Sequence, residues 1–298
     1  MSVLKFIYEE YLNEGSAVTF DGETYPANGW AVCLAGGPGS GKGYSQGRFI
    51  PIDAKVFDVD ELKKTFRQAI KHDDSRFGKY TNKREYDMSN PDDVSDLHFA
   101  VKRSGIEMKQ QDTYFKYNDK LENVIFDMTG DDPNRLIAKA ETARELGYKT
   151  SLIWVVTNRE QAMVQNALRS RSVSDVVLHS KHNSIAQNLY KFIKTDAGKY
   201  FDECWVIFSS NPHVGGSKEE TKWLDKHRTI QFTKQGNRFV PTNKEAARIF
   251  MTLGELEPTP ENPSRYKDFK TVKSIVTDAG LKSSEASEYD WGDTRFMR

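Results

Sequence analysis

Apolar residues in this chain gather into short unbroken runs separated by longer stretches of mixed character. The runs fall at 31–35, 55–59, 123–128, 151–156 and 204–208. Runs of this length, without strict alternation, read as strands buried on both faces. Helical patterns lie between them, notably at 132–146 and 158–171. Strand alternating with helix predicts an α/β fold, a three-layer sandwich around a mostly parallel five-stranded sheet. Ligands of such sheets sit at the carboxyl ends of the strands.

The flanks divide the chain further. Residues 2–13 form an amphipathic helical pattern, and Asp21-Gly22 between alternating residues of 17–25 marks a hairpin. This piece, 1–28, is expected to pack on the sheet edge before a core spanning 29–210. Within the core, 71–118 is an insertion between the second and third strands. Its first part, 71–88, is polar, and 92–117 reads as one long helix. It is either the acceptor side of a site or a solvated surface excursion. Residues 211–253 are expected to add a hairpin, 229–232 and 238–240 around Lys234-Gln235-Gly236-Asn237, and a helix packed on the core. From 254 to 298, Pro258, Pro260 and Pro263 among scattered charges indicate an extended tail.

Charge narrows the partners. Lys and Arg total 43 against 43 Asp and Glu, so no global field recruits nucleic acid or an anionic membrane, although local patches remain open. Only Cys33 and Cys204 occur, both within apolar runs, and they read as reduced core thiols. No signal peptide and no apolar run of about 20 residues is visible. A cytoplasmic enzyme without a membrane partner is the expectation.

The first run, Trp30 to Ala35, leads directly into Gly36-Gly37-Pro38-Gly39-Ser40-Gly41-Lys42-Gly43. This fits the spacing G-x-x-x-x-G-K, in which backbone N–H groups cradle phosphates and the lysine reaches the outer ones. The helix expected to follow adds its positive N-terminal end. Gly37 to Lys42, with Gly43, Tyr44 and Ser45, are therefore the candidate nucleotide-binding residues. A plain glycine turn is the alternative. The residue after the lysine, usually Ser or Thr on a magnesium ion, is Gly43. The metal must then be held by phosphates, water and carboxylates from elsewhere.

Two carboxylates, Asp58 and Asp60, stand two residues apart at the end of the second run. Strand alternation points both the same way, toward proton abstraction or water-mediated magnesium binding. Alternatively Asp60 caps a helix starting at Glu61 and Asp58 is an ordinary polar strand end. The third run closes on Asp127, Met128, Thr129 and Gly130. Asp127 is the expected second carboxylate, with Thr129 beside it, or else the two build a turn. Arg169 and Arg171 end the helical pattern after the fourth strand, as lid groups on a transferring phosphoryl or as solvated helix-end residues. His179 and His182 lack partners at zinc-site spacing.

In this order the motifs resemble the zeta-toxin and polynucleotide-kinase branch of P-loop kinases over roughly residues 30–190. The loop itself is also similar to that of adenylate kinase. The resemblance implies a P-loop NTPase fold, ATP and Mg²⁺, with Asp60 as general base toward a substrate hydroxyl. It implies an acceptor-binding and catalytic role for Asp127 and Thr129, and a phosphate-stabilising role for Arg169. Arg171 is a candidate second lid arginine, and Asp58 or Asp127 could meet the metal through water. The family usually has Glu at the Asp127 position and Gly at the Met128 position. The implied activity is γ-phosphate transfer to a hydroxyl of a sugar, nucleotide (a sugar nucleotide included) or nucleic acid, the last at a 5′-hydroxyl or a hydroxymethylated base. A nucleoside monophosphate kinase and a non-catalytic nucleotide-binding module are the alternatives.

Overall fold

The computed structural model describes residues 17–23, 26–72, 75–88, 90–157, 162, 165–166, 173–209 and 229–242. The N-terminal helical pattern, the helical pattern at 158–171 apart from three positions, any helix after 242 and the tail 254–298 lie outside the described residues.

Strands β1 (Trp30–Ala35), β2 (Lys55–Phe57), β3 (Val124–Met128), β4 (Lys149–Val156) and β5 (Glu203–Phe208) pair in parallel in the order β2-β3-β1-β4-β5. Among the described residues the sheet has seven strands, not the expected five. The late hairpin, β6 (Thr229–Gln235) and β7 (Arg238–Pro241), continues it antiparallel to β5 instead of packing on it as a separate unit. An open β5 edge presents unpaired backbone groups, and pairing with β6 satisfies them.

Every residue of β1 is buried. Successive side chains point to opposite faces, which divides the strand between two cores. Ala31, Cys33 and Ala35 join the face covered by α6 (Pro133–Glu145) and α7 (Asp175–Thr195), with Leu136, Ala140, Ile185 and Leu189. Trp30, Val32 and Leu34 join the face covered by Phe49 of α1 (Lys42–Phe49) and by Val18 and Phe20. The Asp21-Gly22 turn is present as a single bridge between Phe20 and Glu23. It lies over this second face, where Phe20 tilts against Trp30, and not at the sheet edge.

Cys33 and Cys204 each register with Leu152, so they stand two strands apart. That is roughly 9.5 Å at ordinary strand spacing, beyond disulfide reach. Both thiols are free and buried. Burial pushes Cys33 up to about 12 and raises Cys204 as well. No helix among the described residues is long and apolar enough to cross a membrane.

The insertion is built of α2 (Val59–Lys71), α3 (Ser75–Gly78), α4 (Pro91–Ser104) and α5 (Ile106–Tyr117). The single helix expected over 92–117 is broken at Gly105, whose φ of 65° ends α4 and opens α5. A third core of Leu62, Phe66, Ile70, Leu97, Ala100 and Val101 ties α2 to α4. Truncating a fully buried leucine such as Leu97 costs about 2–5 kcal/mol, so the insertion is a packed unit and not a solvated excursion.

Asn123, 1% exposed, joins the roots of three strands. Its Oδ1 accepts from Trp30 N–H at 2.9 Å, and its amide donates to the carbonyls of Pro26 at 3.0 Å and Asp53 at 3.3 Å. Asn123→Ala should lower stability by about 2–4 kcal/mol, the cost of leaving such buried groups unpaired. A urea midpoint unchanged from wild type would remove Asn123 from this role.

Candidate active site

The loop follows from how β1 ends. Past Ala35 the chain turns through Gly36–Gly41 into α1, with Gly41 as N-cap. Gly36 N–H donates to the Thr129 carbonyl at 3.0 Å, fastening the loop to the end of β3. Gly39 has φ of 75°, and a Cβ there would lie 2.3 Å from the Ala162 carbonyl oxygen. No side chain fits. The first turn of α1 has no acidic residue and no side-chain cap, so its N–H groups remain for an anion. Lys42 folds back over the loop, donating to the Gly36 carbonyl at 2.7 Å with Nζ 3.5 Å from Asp127 Oδ1. That pair follows from the β1–β3 register, which sets Leu34 beside Asp127. A Cβ placed on Gly43, as a Ser or Thr would carry, would meet nothing within 4 Å beyond its own helix.

Asp58 and Asp60 divide their tasks differently from the sequence expectation. Strand β2 ends at Phe57 and α2 begins at Val59, so strand alternation does not relate them. Asp58 is the N-cap, its Oδ1 accepting from Asp60 N–H at 2.8 Å. Asp60 sits inside the first turn, not at the cap, and Lys63 Nζ donates to its Oδ1 at 3.1 Å. Both aspartates line the same cleft.

That cleft has a volume of about 550 Å³. It is bounded by the loop from Gly36 to Gly43, by Asp58 and Asp60, and by Asp127, Thr129 and Gly130. Tyr44 and Ser45 are not among its lining residues. Tyr44 is exposed and meets Phe49 edge-on, and Ser45 is fully buried within α1. Asn166 and Val173 also line the cleft, clamped by Asn166 Nδ2 to Val173 O at 2.8 Å and Val173 N–H to Asn166 Oδ1 at 3.1 Å. Arg169 and Arg171 lie between these two, outside the described residues.

Sequence reasoning missed a further part of the cleft lining. There α4 presents His98 and Lys102, and α6 presents Arg135 and Lys139. Each pair is spaced by four and so shares one helix face. That spacing was readable in the chain, but the fold alone shows that the two faces meet. Burial lowers Lys102, and the charge of Arg135 adds to the effect. His182, on α7, is 2% exposed and its Nε2 lies 2.8 Å from the Pro38 carbonyl. Among the described residues no group of three His, Cys, Asp or Glu is arranged to hold a metal ion.

A glycine loop between strand and helix, with its lysine returned across the loop toward a carboxylate on the neighbouring strand, defines a P-loop phosphate cradle on an α/β sheet. No protein-family model and no curated protein matches the chain. Similar solved structures include one from the PezAT chromosomal toxin–antitoxin system of the human pathogen Streptococcus pneumoniae, at 13% identity and a TM-score of 0.44, covering 94% of this chain and 97% of that one. The AvrRxo1-ORF1:AvrRxo1-ORF2 complex with sulphate ions is similar at 12% identity and 0.47, covering 97% and 89%. The same complex with ATP gives 12% and 0.42, covering 98% and 87%. At these values the likeness carries no argument about activity, which rests on the residues of this chain.

Burial, reinforced by Lys63, Lys102 and Arg135 against the opposing Asp60, holds His98 down at about 4 from an ordinary 6.5. Between those values the unfolded chain binds the proton and the folded one does not, so stability rises with pH there. It is fully present above 6.5 and declines as pH falls toward 4. His98→Asn should flatten the pH dependence of the urea midpoint across that window. An unchanged slope would place the titration elsewhere.

Proposed function

We propose that the protein is an ATP-dependent phosphotransferase that moves the γ-phosphoryl to a hydroxyl of a sugar, nucleotide or nucleic acid. The observation that carries the reading is the placement of Lys42, Asp127 and Asp60 around one cleft at the N-terminus of α1. Backbone N–H groups of the loop bind the phosphates, and Lys42 turns from the Gly36 carbonyl to the β- and γ-oxygens. The acceptor oxygen attacks the γ-phosphorus, the bond from that phosphorus to the bridging oxygen of ADP breaks, and the hydroxyl proton passes to the Asp60 carboxylate. Lys63 holds Asp60 in place through its hydrogen bond to Oδ1.

Magnesium fits this site only as a passenger of the nucleotide. One Asp58 oxygen is engaged by the helix cap, which leaves Asp127 as the carboxylate nearest the loop lysine. When bound, the ion neutralises charge on the β- and γ-phosphates. Arg169 is the residue we assign to the transferring phosphoryl, with Arg171 as the alternative. Asn166 and Val173 on the cleft wall support that assignment. Lys102 and Arg135 in the cleft lining suit an acceptor that carries negative charge beside its hydroxyl.

Transfer of labelled γ-phosphate across nucleotide sugars, nucleosides, nucleoside monophosphates, 5′-hydroxyl oligonucleotides and hydroxymethylated DNA tests the reading. Phosphorylation of monophosphates alone would establish the monophosphate-kinase alternative. Lys42→Ala should weaken ATP binding by about 10–100-fold, the range for a charged hydrogen bond, with turnover abolished. ATP affinity equal to wild type would exclude this loop as the site. Asp60→Asn should leave ATP affinity intact, because Lys63 keeps an acceptor, while kcat falls by about 10²–10⁴-fold. A fully active Asn variant would assign the base to another group.

A further inference from the structure

We infer that His182 is a positioning residue for the phosphate-binding loop, orienting its peptide groups from the side opposite the cleft. The inference rests on the nucleotide-binding reading of that loop. A carbonyl oxygen only accepts, so the 2.8 Å contact to Pro38 makes Nε2 the protonated nitrogen and donor. In a trans peptide the carbonyl and the following N–H point in opposite directions. Drawing the Pro38 carbonyl toward His182 therefore turns Gly39 N–H away from the histidine. Gly39 lines the cleft and His182 does not, so this N–H faces the phosphate side.

The next alternate residue repeats the device. Ser209 Oγ, from the end of β5, donates to the Ser40 carbonyl at 2.5 Å, which turns Gly41 N–H the other way. Ser209 is also buried outside the cleft. Two carbonyls held outward leave two amides inward, the arrangement by which successive N–H groups form an anion nest. Without these anchors the glycine peptides can rotate at little steric cost, and their dipoles are no longer fixed before the ligand arrives.

The fit at His182 is tight. A Cβ on Gly37 would lie 2.5 Å from Nε2 and within 2.8 Å of the neighbouring ring carbons. The same helix fixes the other side of the cleft, since Lys181 pairs with Asp131 and Asn188 Nδ2 donates to the Asp131 carbonyl at 2.9 Å. Helix α7 thus fastens both the loop after β1 and the turn after β3.

The test compares two polar replacements. His182→Gln carries an amide at the reach of Nε2, and His182→Asn stops one bond short. ATP affinity by calorimetry should fall by about tenfold in the Asn variant, the scale of one neutral hydrogen bond, and stay within about threefold of wild type in the Gln variant. Thermal midpoints measured beside the affinities show that both variants fold. Equal affinity in both variants and wild type would overturn the inference while leaving the loop as the nucleotide site. Absence of ATP binding by wild type would overturn both. Gly37→Ala supplies an independent arm. It should weaken ATP binding in the wild-type background by displacing the ring, and add little to His182→Asn, where the smaller side chain leaves room. Independent, additive losses would show that His182 acts only as a packed core residue.

Discussion

The parallel pairing of β1 with β3 sets where chemistry can occur in this molecule. It places Asp127 level with Leu34, one step before the chain leaves the sheet and enters the glycine loop. A register shifted by one residue would send the Asp127 side chain to the other face of the sheet, away from Lys42. The Gly36 N–H to Thr129 bond then fastens the loop to the same strand end. The lysine, the carboxylate and the loop backbone are thus one unit, fixed by a ladder of main-chain hydrogen bonds and by burial of β1 on both faces.

Helices on the two flanks hold that unit from outside. On one flank, α4 and α2 share a small core of their own, which keeps His98 and Lys102 at a set distance from the loop. On the other, α7 packs Ile185 and Leu189 into the main core while its polar neighbours reach the loop and the Asp131 turn. Packed interiors resist small displacements. A cleft walled by such helices has its donors arranged before any ligand enters, which lowers the ordering cost of binding.

Much of this was legible in the chain, for identifiable reasons. Strands buried on both faces leave continuous apolar runs, so all five parallel strands could be found within a few residues. The glycine loop was legible because its backbone conformation demands particular residues. The start of α2 was misplaced by two residues because Val56-Phe57-Asp58-Val59 looks like strand, whereas Asp58 folds its carboxylate onto the Asp60 amide and starts the helix early. The break at Gly105 was masked by helical residues on both sides. That β6 would extend the sheet depended on an available edge at β5, which no local pattern reveals. His182 was read only against a metal-site spacing. Its partner is a backbone carbonyl 144 positions away, and such contacts leave no mark in sequence.

The distribution of charge around the cleft follows from the same local devices. Five aspartates crowd the region where phosphates are expected to bind, and like charges there would oppose an anion. Each is answered close by. Asp58 and Asp132 cap α2 and α6, accepting from Asp60 N–H and Asn134 N–H. Asp60 meets Lys63, Asp127 meets Lys42 and Asp131 meets Lys181. Lys102 and Lys139 stand apart from this pattern, since no carboxylate lies within ion-pair distance of either among the described residues, and Lys139 donates instead to Gln111. At Lys102, burial and Arg135 both disfavour the charge and outweigh the more distant Glu107 and Asp131. An anion arriving at that wall would relieve both effects at once, and none of the aspartate pairs near the loop would have to break to admit it. The cleft therefore offers an incoming negative group two places, the N-terminus of α1 and the Lys102–Arg135 wall, with Asp60 on the same cleft. A phosphoryl donor and an acceptor that is itself charged are the pair of ligands that such a division of charge suits.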